Sequence, residues 1–249
     1  GIMGMVDIIR KNRDDWEKVD DSLEKIQLST RHLLELVSDV LDMSKLEAGM
    51  FEIHEDAFDI SELMDEVAAL VDAQLVESGI THRKHRSNIQ HTALKGSSLQ
   101  LRRIMVNLLS NAIKYNKSNG TIDTYAEELS CDGTTVWYEF KIVDTGIGMS
   151  EEFIAHIFEP FSREQTSTVS GIEGMGLGMA IVKKIVDRMG GTIAVKSRQG
   201  KGTEVIVILK FKVSSQPVAN EMRALSRPEQ METFSEKEKA KQENLKEES

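Results

Sequence analysis

Between Val19 and Ser44 the chain repeats apolar or small residues at alternating steps of four and three: Val19, Leu23, Ile26, Thr30, Leu33, Val37, Val40 and Ser44. A seam of this period, kept up for more than three heptads with charges beside it, specifies one long helix. At 1.5 Å per residue the helix reaches ~45 Å, longer than a small domain is wide. Ile2, Met5, Val6 and Ile9 carry helical spacing before it, and residues 12–15 make a polar break, so residues 1–49 read as an antiparallel helical hairpin ended by Gly49. A lone hairpin cannot cover such a seam. Either the long helix lies against its own domain, or two hairpins meet across a two-fold axis as a four-helix bundle. The expectation is a homodimer through the hairpin.

The remaining chain alternates helical and strand patterns. A strand is expected over 51–58, then Asp59-Ile60-Ser61-Glu62 as a capping box opening a helix to Val76. Residues 81–94 hold His82, His85 and His91 among basic side chains at spacings that match no zinc pattern, so they read as a solvated loop or edge strand. A helix over 99–115 follows, then strands over 121–128 and 134–143 joined by the turn Cys131-Asp132-Gly133. A short helix over 150–158 ends in Phe158-Glu159-Pro160-Phe161. Residues 162–173 are small and polar and read as a mobile loop. Gly174-Met175-Gly176-Leu177-Gly178 opens a helix through Arg188, Gly190-Gly191 stops it, and strands over 192–197 and 203–211 complete the domain. From 214 to 249 the composition turns charged, as expected of a disordered tail or linker.

Composition narrows the classes of function. The net charge of -10 argues against nonspecific nucleic-acid binding. The single cysteine, Cys131, excludes an internal disulfide and fits a reducing, cytoplasmic compartment. No apolar run approaches the ~20 residues that span a bilayer, so any membrane attachment would come from segments absent here. The chain opens on Gly1 without an initiator Met and reads as an excised piece of a longer protein.

Three features carry chemistry. On the helix over 99–115, Leu101, Ile104, Met105, Leu108, Leu109, Ala112 and Ile113 imply deep packing, while Asn107, Asn111 and Lys114 form one stripe at i, i+4 and i+7. Two carboxamides and an ammonium there need partners, unless the stripe is merely a solvated face. A metal ion bound to phosphates would pair with all three. Asp144, at a strand end before Gly146 and Gly148, could accept a hydrogen bond from an amino group such as that of adenine, or be the acid of an ordinary turn. Gly174, Gly176 and Gly178 at a helix start let backbone N–H groups approach an anion. Their spacing fits neither a P-loop nor a Rossmann fingerprint.

The order of these features resembles the ATP-binding domain of sensor histidine kinases, within the larger family that includes gyrase, Hsp90 and MutL. The matching stretches are the asparagine box Asn107–Tyr115, the glycine boxes Asp144–Gly148 and Gly174–Gly178, the phenylalanine box Phe158–Phe161, and Gly202-Thr203. The hairpin, with Leu41-Asp42-Met43-Ser44-Lys45-Leu46-Glu47-Ala48-Gly49, resembles the family's dimerisation and phosphotransfer domain, and Phe161 to Gly178 is most like the hybrid kinases. The resemblance implies an α+β chain: a hairpin (1–49) that dimerises, a two-layer α/β sandwich (50–213) binding ATP and Mg²⁺, and a tail (214–249). It implies that Asn111 coordinates the metal, that Asn107 and Lys114 contact phosphate or metal-bound water, and that Tyr115 lines the site. Asp144, with Gly146, Gly148 and Thr203, would read adenine. N–H groups around Gly174, Gly176, Leu177 and Gly178 would hold phosphate, and Arg163 would reach the γ-phosphate. The product would be a phosphohistidine relayed to a response-regulator receiver domain. Two departures stand out. Hydrolysing relatives place a Glu general base where this chain has Asn107, and an amide cannot take a proton from water. The family's acceptor box, His-[Asp/Glu]-x-x-Thr-Pro in type, is absent, since Pro160, Pro217 and Pro228 lie far from the hairpin. His32 is on the second helix, where the family does not put the acceptor, so this fragment is not expected to phosphorylate itself.

Overall fold

The computed structural model describes residues 1–47, 53–164 and 175–214. Helices α1 (Ile2–Lys11) and α2 (Trp16–Glu47) pack on each other as a hairpin. Asn12 ends α1, its N–H bonding the Ile8 and Ile9 carbonyls and its side-chain amide donating again to Ile8 at 2.8 Å. Along the seam Val19 is 8% exposed, whereas Leu23 is 46%, Leu33 53%, Val37 50% and Val40 47% exposed. α2 also touches a later helix, Gly178–Arg188.

The rest is a sheet with helices on one face. Its elements are β1 (Asp56–Asp59), α3 (Ile60–Ser78), β2 (Thr81–Ser87), β3 (Ala93–Gly96), α4 (Ser98–Lys114), β4 (Thr121–Cys131), β5 (Thr135–Asp144), α5 (Glu151–Ile154), α6 (Gly178–Arg188), β6 (Thr192–Arg198) and β7 (Gly202–Val213). The strands run in the order β1-β3-β7-β5-β4-β2, with β6 also on β7. Only β2 against β4 is parallel; the others are antiparallel, which makes the sheet mixed. The period-2 pattern of β5 decides the layering: Val136, Tyr138, Phe140 and Ile142 are buried, and they share one core with α3, α4 and α6. α3 starts where the capping box predicts, the Asp59 carboxylate accepting from the Ser61 and Glu62 N–H groups at 2.8 and 3.1 Å. It stops at Gly79, which takes a left-handed φ of 63°.

Several boundaries differ from the sequence expectation for definable reasons. The helix expected over 150–158 shrinks to the four residues of α5, because beyond Ile154 the N–H groups of His156, Ile157 and Glu159 bond three residues back rather than four. The helix expected from Gly174 begins at Gly178, since Gly176 has φ +72° and cannot be helical. Residues 81–94 hold the edge strand β2 and the start of β3. The three histidines there have separate partners: His82 meets Thr124, His85 meets Asp123 and His91 meets Glu128. β4 runs on to Cys131 through a bulge between Glu128 and Ser130. The strand expected from 51 is seen from Asp56, residues 48–52 lying outside the described residues, as do 165–174 and the tail beyond 214.

Candidate functional site

β5 and β7 lie side by side, and their pairing brings Asp144 and Thr203 together at one end of the sheet. Asp144 follows Phe140 and Ile142 at even spacing, so it projects to the helix-covered face. Thr203 does the same, following the parity of Val205 and Val207, and Ser197 of β6 stands opposite it. Asp144 Oδ1 accepts from the Gly146 N–H at 2.8 Å and from the Thr203 N–H at 3.2 Å. Both bonds go to the same oxygen, and Oδ2 accepts none from the described residues. Burial pushes the Asp144 carboxyl above its ordinary range, with the two N–H bonds opposing. The backbone must come very close here: a Cβ on Gly146 would lie 2.3 Å from the Tyr115 carbonyl oxygen, so only glycine fits. The same carbonyl accepts the Ile147 N–H at 3.0 Å, which binds the turn after β5 to the end of α4.

The other end of the site is the polar stripe of α4. Asn107, Asn111 and Lys114 are half-buried. Asn107 donates its Nδ2 to the Arg103 carbonyl at 3.0 Å, which turns Oδ1 outward. The first residue of α6 passes over it: a Cβ at Gly178 would lie 3.1 Å from Asn107 Oδ1 and 3.9 Å from Asn111 Nδ2. Leu177 precedes α6 without giving a side-chain cap, so the positive end of the helix faces the carboxamides. Lys114 Nζ lies 5.4 Å from the Tyr115 ring centre. Burial raises the Tyr115 pKa, and the Arg163 guanidinium works against that rise, so Arg163 is within electrostatic reach of the ring hydroxyl. Phe161, beside Arg163, is held at φ +64°, unusual for a bulky residue, and its N–H bonds the Gly176 carbonyl at 3.1 Å.

These contacts link Asn107 and Asn111 to Gly178, Tyr115 to Gly146, and Asp144 to Gly146 and Thr203 on the helix-covered side of the sheet, the candidate cleft; a Cβ on Gly148 would instead meet the Arg198 carbonyl, and the Leu177 side chain is buried in the core. Gly174 and the His32 side chain lie outside the described residues. Sequence reasoning missed Ser197. Its Oγ accepts the Met149 N–H at 2.9 Å, donates to the Gly202 carbonyl at 2.9 Å and meets Thr203 Oγ1 at 2.8 Å. Only the register of β6 on β7 reveals it.

Comparison with known proteins follows this geometry. Residues 96–213 match the histidine kinase-, DNA gyrase B- and HSP90-like ATPases, and residues 1–49 match the His Kinase A (phospho-acceptor) domain. The chain is 35% identical over 184 residues to the signal transduction histidine-protein kinase BarA of Escherichia coli (strain K12), across 74% of this chain and 20% of BarA. The chain belongs to the sensor histidine kinases. A second histidine kinase relative is the autoinducer 2 sensor kinase/phosphatase LuxQ of Vibrio parahaemolyticus, 30% identical over 215 residues, 85% of this chain and 25% of LuxQ. The crystal structure of full-length ShkA in complex with AMPPNP superposes with a TM-score of 0.66 at 31% identity, over 81% of this chain and 40% of ShkA. This histidine kinase chain spans about a fifth to a quarter of the length of the curated relatives it matches. Among its described residues no helix is long and apolar enough to cross a membrane.

Proposed function

We propose that this chain is a catalytic core that binds Mg-ATP in the cleft and transfers the γ-phosphate to a histidine, for relay to the aspartate of a response-regulator receiver domain. The observation that carries the reading is Asp144 Oδ2, an acceptor left open beside Gly146 on a largely buried carboxylate. An exocyclic amine supplies the missing hydrogen, and the bare backbone at Gly146 leaves room for a flat ring. At the other end the donor set suits a metal triphosphate. Asn111, with the oxygen of Asn107 behind it, would contribute carboxamide ligation to Mg²⁺, which characteristically takes few protein ligands together with phosphate oxygens and water. Lys114, Arg163 and the start of α6 at Gly176, Leu177 and Gly178 would hold phosphate. When bound, the metal neutralises charge on the transferring group.

What the chain's own residues do is position and exclude. Asp144, Gly146, Gly148 and Thr203 orient the base, Tyr115 walls the cleft, and Asn107 offers no basic group to activate water. This favours transfer over the hydrolysis of a gyrase-type ATPase. The half-exposed seam of α2 supports a homodimer built from residues 1–49, with residues 50–213 as the ATP-binding unit and 214–249 as a linker or tail. With the acceptor box missing, the chain is expected not to phosphorylate itself on His32. The deciding experiment is calorimetry with AMPPNP and Mg²⁺. The chain binds, Asp144→Asn weakens binding about 10- to 100-fold as loss of one charge-assisted bond requires, and steady-state phosphate release stays negligible. Unchanged affinity in the variant would remove the base-recognition role.

A further inference from the structure

The hydrogens around Ser197 can be placed by counting. Three short contacts converge on its Oγ: the Met149 N–H, the Gly202 carbonyl and the Thr203 hydroxyl. A hydroxyl has one hydrogen and two lone pairs. The Gly202 carbonyl can only accept, so making that bond uses the Ser197 hydrogen. The Met149 amide can only donate, so it fills one lone pair. The remaining contact, 2.8 Å from Thr203 Oγ1, is a hydrogen bond only if Thr203 donates into the other lone pair. One arrangement satisfies all three contacts, and in it the Thr203 hydrogen points at Ser197 and away from the cleft.

Resting on the nucleotide reading above, we infer that Ser197 is a positioning residue for base selectivity: it holds Thr203 as an acceptor, so that the base end of the cleft presents acceptors alone. The two outward groups are then the Thr203 Oγ1 lone pairs and Asp144 Oδ2, on neighbouring strands and the same face. Two neighbouring acceptors need two hydrogens on one ligand atom, as the 6-amino group of adenine carries. A 6-oxo base such as hypoxanthine or guanine puts an acceptor at that atom and keeps its nearest hydrogen on N1, so it can serve one of the two groups only by shifting, and the other is left unpaired. Removing the Ser197 hydroxyl frees the Thr203 hydrogen to swing outward and donate to a 6-oxo group.

The test compares ATP with inosine triphosphate, which shares its sugar and phosphates, by calorimetry with Mg²⁺ on the full chain. The unmodified chain prefers ATP. Ser197→Ala lowers the ATP-to-ITP affinity ratio roughly three- to tenfold, the weight of one neutral hydrogen bond, and Ser197→Thr restores it. Thr203→Val lowers the ratio by removing the acceptor, and Ser197→Ala then has no further effect on it. A merely structural Ser197 would weaken both nucleotides alike and leave the ratio unmoved; that result, in a variant that still binds ATP, overturns the inference alone. Should Ser197→Ala fail to fold, an unaltered ratio in Thr203→Val overturns it equally. If the unmodified chain binds neither nucleotide, the reading of the cleft fails and this inference falls with it.

Discussion

The hairpin and the sheet layer use apolar residues in opposite ways. In the sheet layer, Leu101, Ile104, Met105, Leu109 and Ile181 are all within 1% of full burial, and one cluster joins α3, α4 and α6 to the strands. In the hairpin, Leu23, Leu33, Val37 and Val40 stand about half exposed on a helix of 32 residues. The same side-chain chemistry thus makes a self-sufficient core in one region and an unfinished one in the other. The lesson is that the sheet layer carries its own stability, whereas the hairpin needs a second surface of matching period.

This contrast can be broken in three ways. The largest effect is expected from placing charge on the seam: Val37→Asp with Val40→Asp converts dimer to monomer in light scattering, while AMPPNP affinity changes less than about twofold. Loss of nucleotide binding in that variant would show that the regions are not independent. Next, Leu109→Ala lowers unfolding stability of the sheet layer by about 2–5 kcal/mol, the usual result of a cavity in a packed core. Leu33→Ala, read in denaturant titrations of the monomer, costs under about 1 kcal/mol, since that side chain is already half in water. Equal losses would erase the distinction. The smallest effect concerns Asp144. Its folded pKa lies above the unfolded one, so the fold binds this proton more tightly and the associated stability is lost as pH rises through the folded pKa. Asp144→Asn is therefore expected to melt slightly higher than the unmodified chain at pH 7 without nucleotide, with the gap closing as pH falls below the ordinary carboxylate pKa. A lower melting point at pH 7 would mean that the carboxylate stabilises the fold.

The long helix and the buried face of β5 were legible in the amino-acid order because each rests on spacing along the chain, whereas Tyr115, Arg163 and Thr203 were named only through the family resemblance. Asp144 could be singled out because a strand end and two glycines are local facts. The truncation of α5 was not legible, since three- and four-residue bonds have the same composition. Gly176 was visible as a glycine, but that its φ would delay α6 to Gly178 depends on the chain crossing Ser162, whose carbonyl a Cβ there would strike at 2.3 Å. Ser197 was hidden for a related reason. Strand register sets its partner Thr203 opposite it, and Met149 reaches it from the turn after β5, 48 residues earlier in the chain.

The tie between the Phe161 amide and the Gly176 carbonyl makes one joint of two separated residues. Both hold left-handed backbone there, Phe161 at φ +64° and Gly176 at φ +72°. A β-branched replacement at either would strain its own turn and loosen the opposite one with it.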